Sequence, residues 1–264
     1  MPYIERDGSR VFFTDEGTGP PVILGHSLLC SGEMWASQLP ALTEQYRVVN
    51  VDYRGHGQSD PAARGLTLYD LAEDMIAILD LVGIERAVWA GVSIGGMVAL
   101  RAAIRHPERV GGMIVMDARS SAEARLKSAK YRSMVLGSKL LGMQRLVPSV
   151  LPIMFGKTTL ETRPELIDEW RQRFEALEVN SFVGCLDALS HRESISSRLP
   201  TIDIPTLVVV GEEDAAQPPE RSREIADGLP NSRLLVVRGA GHLSCVESPE
   251  VVTGAMLEFL AEHA

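Results

Sequence analysis

The sequence predicts an α/β fold: a mostly parallel β-sheet flanked by helices, with a helical segment inserted in its second half. Three observations predict it. Apolar runs of strand length alternate with helical patterns along most of the 264 residues, as expected of parallel strands joined by crossover helices. Between Ser120 and Pro200 that alternation stops, and the segment carries helical patterns without a good strand. At Val88–Leu100 an apolar run meets a helix through Gly91-Val92-Ser93-Ile94-Gly95, a sharp strand-to-helix junction.

In chain order, strands are expected at Arg10–Asp15, Pro21–Gly25 and Arg47–Val51, followed by a helix over Thr67–Val82. The strand Arg86–Val92 leads into a helix over Ile94–His106, supported by Arg101 and Arg105 at i, i+4 and stopped by Pro107. The strand Val110–Met116 comes last before the insertion. After it come Pro205–Gly211, a helix Pro219–Gly228, a strand Arg233–Arg238 and a helix Pro249–Glu262, whose Val252, Met256, Phe259 and Leu260 share one face. Eighty helical residues are too many for a loop and need a packing partner; the carboxyl edge of the sheet, where ligand sites form in α/β folds, is the natural one. The chain is therefore divided into a core of residues 1–119 and 201–264 and a cap of residues 120–200.

A hydrophobic content of 45% supports a substantial core. A net charge of −9 and a pI near 5.2 argue against nucleic acid and against an anionic membrane surface as partners. The segment Met1–Asp7 has no apolar signal stretch and no run reaches membrane-spanning length, so a cytoplasmic location is expected. Three scattered cysteines, Cys30, Cys185 and Cys245, suit neither a disulfide framework nor a zinc site, though Cys30 and Cys245 fall in loops near the expected site. Gly55-x-Gly57 and Gly239-x-Gly241 lack the third glycine of a dinucleotide loop, and neither a P-loop nor H-E-x-x-H occurs, so no cofactor or metal is expected.

The chemistry centres on Ser93. A serine hydroxyl is a poor nucleophile until it is exposed, aimed and given a base. A tight turn does the first two, and it crowds the positions two residues away, where Gly91 and Gly95 stand. Ile94 opens the following helix, leaving its N–H free for a developing oxyanion. Among the six histidines, His242 stands out: it follows the last strand in Gly239-Ala240-Gly241-His242. The orienting carboxylate should come from another strand end. Asp214, after Leu207–Glu213, is the leading candidate, and Asp117, after Met113–Met116, the alternative. The loop His26-Ser27-Leu28-Leu29-Cys30 is placed to give the second oxyanion N–H, assigned to Leu28.

Together these residues resemble the α/β-hydrolase superfamily. The resemblance spans nearly the whole chain: His26-Ser27-Leu28, Asp52-Tyr53-Arg54-Gly55-His56-Gly57-Gln58-Ser59, Gly91-Val92-Ser93-Ile94-Gly95-Gly96, Gly211-Glu212-Glu213-Asp214, and Gly241-His242 with Glu247-Ser248-Pro249-Glu250. It implies an eight-stranded sheet with a cap between its sixth and seventh strands, and a triad of Ser93, Asp214 and His242. The Asp52–Ser59 loop is expected to be structural. Within the superfamily the chain is similar to small carboxylesterases, 3-oxoadipate enol-lactonases and cofactor-free haloperoxidases (perhydrolases), with Ser27-Leu28 and Met34-Trp35 matching the lactonases.

The expected activity is hydrolysis of a small-molecule carboxylic ester or lactone through an acyl-enzyme. A lactonase or a perhydrolase with the same triad, or a non-catalytic ligand receptor on this fold, are the alternatives. Candidate substrate contacts are His26, Met134, Met154, Trp170 and Leu243, with Phe182 a further apolar one. Arg132, Arg145, Arg171, Arg173 and Arg192 are cations that would suit a carboxylate. The sequence leaves the oligomeric state open.

Overall fold

The structure, a computed structural model, describes residues 2–62, 65–124, 133–137, 139 and 142–264. Arg132, named above among the cations, lies outside them. Eight strands form one sheet: β1 (Tyr3–Arg6), β2 (Ser9–Glu16), β3 (Pro21–Gly25), β4 (Arg47–Val51), β5 (Ala87–Val92), β6 (Val110–Met116), β7 (Thr206–Gly211) and β8 (Ser232–Val237). Their order is β1-β2-β4-β3-β5-β6-β7-β8. The pairs β1–β2 and β2–β4 are antiparallel and the rest of the sheet is parallel.

The helices are α1 (Leu39–Thr43), α2 (Leu68–Leu81), α3 (Ile94–Arg105), α4 (Met143–Met154), α5 (Lys157–Thr162), α6 (Pro164–Glu175), α7 (Val179–Ser190), α8 (Pro219–Gly228), α9 (Ser244–Glu247) and α10 (Pro249–His263). Thr67 caps α2 reciprocally: its hydroxyl accepts from Asp70 N–H while the Asp70 carboxylate accepts from Thr67 N–H. The expected strands and helices agree with these bounds to within one residue. The exception is β1, whose four partly exposed residues on the sheet edge lack an apolar run.

Strand periodicity sorts the core onto two faces. Ile23, Val49, Trp89, Val115 and Val208 point to the side covered by α2, α3 and α8. Their strand neighbours Leu24, Val48, Val88, Ala90, Ile114 and Val209 pack on the other side, with α10. Both faces of β5 are buried, which accounts for its continuous apolar run.

The helices between β6 and β7 meet the carboxyl edge of the sheet through specific bonds. Glu247 accepts from Gly156 N–H at 2.8 Å and from Gly241 N–H at 2.9 Å, and Leu243 N–H donates to the Met154 carbonyl at 3.2 Å. The Asp52–Ser59 loop lies beneath α7. Asp52 accepts from Gly32 N–H at 2.6 Å and Gln58 N–H at 2.9 Å, and Arg54 makes a buried two-pronged pair with Asp74 at 2.6 and 2.7 Å. Among the described residues no helix is long and apolar enough to cross a membrane.

Candidate active site

Ser93 stands between β5 and α3 with φ +56° and ψ −111°, a conformation that costs a side-chain-bearing residue about 1–3 kcal/mol. The surroundings hold it there. Ser93 N–H donates to the Met116 carbonyl at 2.8 Å, and the Ser93 carbonyl accepts from Met97 N–H at 3.0 Å. The glycines are obligatory: a Cβ on Gly91 would lie 2.3 Å from the Gly95 carbonyl carbon, and one on Gly95 would lie 2.3 Å from the Gly25 carbonyl oxygen.

His242 follows β8 and lines the same cavity as Ser93. Its Nδ1 is 2.8 Å from Asp214 Oδ2. The other oxygen of Asp214 accepts from Ala216 and Gln217 N–H groups, each at 2.8 Å, so the carboxylate is fixed from behind by its own turn. The loops approach too closely for side chains: a Cβ on Gly211 would come 2.1 Å from the Gly241 carbonyl oxygen.

Asp117 takes a different place. At φ +50° it ends β6, fully buried, and accepts from Gly211 N–H at 2.9 Å and Ser244 Oγ–H at 2.6 Å. It thereby ties the turn that carries Asp214 to the helix that follows His242. Burial and the neighbouring Asp214 push its carboxyl well above the usual range.

Ser27, Leu28 and Leu29 form the facing wall. Cys30 N–H closes a turn onto the Ser27 carbonyl at 3.1 Å, with Leu29 forced to φ +65°. Ile94 opens α3, so its N–H has no acceptor within the helix. Neither it nor the Leu28 N–H donates to another backbone group among the described residues.

The sequence profile described as "alpha/beta hydrolase fold" matches residues 20–249. The chain belongs to this family. It is similar to a thermophilic esterase from Thermogutta terrifontis, with a TM-score of 0.92, 29% identity, and coverage of 100% of this chain and 98% of that one. It is similar to the enol-lactonase from Burkholderia xenovorans LB400, with a TM-score of 0.91, 26% identity, and coverage of 98% and 100%. A Mycobacterium tuberculosis protein provisionally named non-heme bromoperoxidase BpoC is 31% identical over 264 residues, covering 94% of this chain and 97% of its own.

In this α/β hydrolase the remaining candidates divide. Met134 and Met154 line the cavity, with Phe182. His26 does not: it is fully buried, its Nδ1 lies 2.8 Å from the Ser27 carbonyl, and its Nε2 accepts from Tyr53 N–H at 2.9 Å. Burial pushes its imidazole down to about 4, so it is a neutral structural group under the Ser27–Leu29 loop. Trp170 packs against Phe155 and Phe174, and Leu243 is fully buried; neither is among the described residues that line the cavity, where substrate contact was expected.

The arginines are also engaged elsewhere. Arg171 pairs with Asp168, Arg173 with Glu169 and Glu33, and the buried Arg192 with Glu123, while Arg145 is exposed. Cys30 and Cys245 are buried off the cavity, and burial pushes both thiols far up, away from reactivity. Gln217 carried no sequence signal, being one polar residue in a loop. Glu247 belongs to the Glu247-Ser248-Pro249-Glu250 stretch of the resemblance, but its role shows only once Gly156 and Gly241 are seen to converge on it.

Proposed function

We propose that this α/β hydrolase cleaves an uncharged, largely apolar carboxylic ester or lactone, with Ser93 as nucleophile, His242 as base and Asp214 as the orienting acid. The observation that carries the reading is the backbone-strained Ser93 on one cavity with an imidazole whose far nitrogen is held 2.8 Å from a buried carboxylate. His242 Nε2 takes the Ser93 proton as Oγ attacks the carbonyl carbon. The carbonyl oxygen gains the charge, and the N–H groups of Leu28 and Ile94 receive it; each such donor contributes about 3 kcal/mol to the barrier reduction. The imidazolium, stabilised by Asp214, then protonates the leaving alkoxide. Water deprotonated by the same nitrogen attacks the acyl-enzyme, and the acid departs with Ser93 restored.

The cavity wall supports the substrate class. Leu146, Val150, Ile153 and Met154 of α4, with Leu186 and Leu189 of α7, present apolar surface, and none of the described lining residues is Lys or Arg. A 3-oxoadipate enol-lactone keeps a free carboxylate, which this wall would strip of water without a counter-charge, at a cost of several kcal/mol. An acyl or alkyl chain suits it better. In this reading residues 120–200 act as the cap that selects the substrate.

The test is a panel of p-nitrophenyl esters and simple lactones of graded chain length, run on the wild type and on Ser93→Ala. A fall of at least ~10⁴-fold is expected for the variant with its melting temperature kept. A fluorophosphonate probe should label the wild type on Ser93. Near wild-type turnover by Ser93→Ala overturns the mechanism, and an unlabelled Ser93 with no turnover by the wild type overturns it in favour of a ligand receptor.

A further inference from the structure

The cavity is apolar, yet one carboxamide is built into it. Gln217 lines the cavity together with Ser93 and His242, is 4% exposed, and its Oε1 is buried with no hydrogen-bond partner among the described residues. Leaving such an oxygen unpaired is expensive, and folded proteins avoid it unless something else satisfies the group. Its backbone has no freedom to escape, because Gln217 N–H is one of the two donors that hold Asp214 Oδ1, at 2.8 Å. The Cα of Gln217 is therefore anchored beside the acid–base pair, and its side-chain torsions, ending in a soft sp³–sp² rotation, decide where the oxygen points. One unpaired carboxamide oxygen on a wall that, apart from Ser27, Ser93 and His242, is apolar suits a ligand that is apolar along its length and polar at one point.

Resting on the hydrolase reading above, we propose that Gln217 is a specificity-determining residue whose carboxamide oxygen accepts a hydrogen bond from an N–H or O–H donor beside the scissile carbonyl. The substrate class is then an apolar-chain ester or lactone with an amide N–H or a hydroxyl next to its reacting centre. Discrimination should be steep. A site built to pair a donor rejects the analogue that lacks it far more strongly than an apolar pocket rejects a missing methylene, because its own acceptor is left unpaired.

The experiment compares two p-nitrophenyl esters of equal length. One is the N-hexanoylglycinate, with an amide N–H; the other is the hexanoyloxyacetate, with oxygen in its place. Each is measured as kcat/KM on the wild type and on Gln217→Leu, so the intrinsic reactivities of the two esters cancel. The loss caused by the substitution is expected to be at least tenfold larger on the amide ester than on its oxygen analogue, and to reside mainly in KM. Ser93 labelling by a fluorophosphonate reports whether the variant keeps its folded site. Equal losses on the two esters, with Ser93 still labelled, overturn the role of Gln217 and leave the hydrolase reading standing. No turnover of either ester by the wild type, with Ser93 unlabelled, overturns both.

Discussion

The carboxyl ends of β5, β7 and β8 and the helices α4 and α7 face each other across one cavity, and they build it by opposite means. On the sheet side, position is dictated by backbone. Gly91, Gly95, Gly211 and Gly241 each stand where a Cβ would come within 2.3 Å of a neighbouring main-chain atom. Ser93, Leu29 and Asp117 are held at positive φ. On the helix side, α4 and α7 offer apolar side chains whose volumes set the wall, and Gly184, the one glycine in them, faces the Ala62 side chain rather than main chain. Replacing a sheet-side residue should therefore break chemistry, and replacing a helix-side residue should redistribute preference.

The sharpest test within the sheet side pits its two buried aspartates against each other. Asp214 touches His242 and Asp117 does not, although both end parallel strands. Asp214→Asn is expected to cost ~10³–10⁴ in kcat, because an amide stabilises the wrong imidazole tautomer and no imidazolium. Asp117→Asn keeps an acceptor for Gly211 or Ser244 and should cost about tenfold or less. Steady-state kinetics on one ester settles the order; equal losses would mean that the two carboxyls act as one unit.

That pair also marks what the sequence can express. Glycine spacing around Ser93 and seven of the eight strands are readable because they follow from local chemistry: turns that admit only glycine, and apolar runs of strand length. Nothing local separates Asp214 from Asp117, since both follow a strand. The choice is made by the β7–β8 neighbour relation, which brings the Asp214 turn to His242. His26 misleads for the same reason. A histidine after β3 is placed like a ligand, and only the Tyr53 N–H on its Nε2 shows that it is structural. Trp170 likewise reads as a large apolar residue in the cap; Phe174 is its i+4 neighbour in α6, but its packing against Phe155, just after α4, emerges only from the tertiary arrangement. Tertiary partners, invisible in one chain's sequence, decide these cases.

The boundary between the two regions should respond to acid. His26 and His56 meet at an interplanar angle of 55° with centroids 4.9 Å apart beneath α7, where Phe182 lies 6.4 Å from His56 and the Cys185 thiol donates to the Arg54 carbonyl at 3.1 Å. Burial lowers the two imidazoles to about 4 and about 3, against 6.5 for the free side chain. The unfolded chain thus binds protons that the folded chain refuses. Their contribution is complete above pH 6.5 and is lost as pH falls through that value toward the folded pKa values, at up to ~1.4 kcal/mol per pH unit for each histidine. The urea midpoint should drop between pH 7 and pH 5. A midpoint that stays level over that range would mean the loop accepts the protons without unfolding.

The smallest effect is expected on the helix side, and it tests the division most directly. Leu146 of α4 is half-buried and lines the cavity, so Leu146→Ala should cost less stability than the ~2–5 kcal/mol typical of a fully buried leucine. It opens room for substrate where no backbone constraint is disturbed. Each additional methylene that fills the space contributes about 0.8 kcal/mol, or roughly fourfold in kcat/KM. The optimum of a p-nitrophenyl ester series should move toward longer acyl chains by one to three carbons, with kcat on the new optimum close to the wild-type value. If kcat instead falls uniformly at every chain length, Leu146 is holding the reacting groups in place. The helices would then share in the chemistry that the glycine-bound strand ends are here given alone.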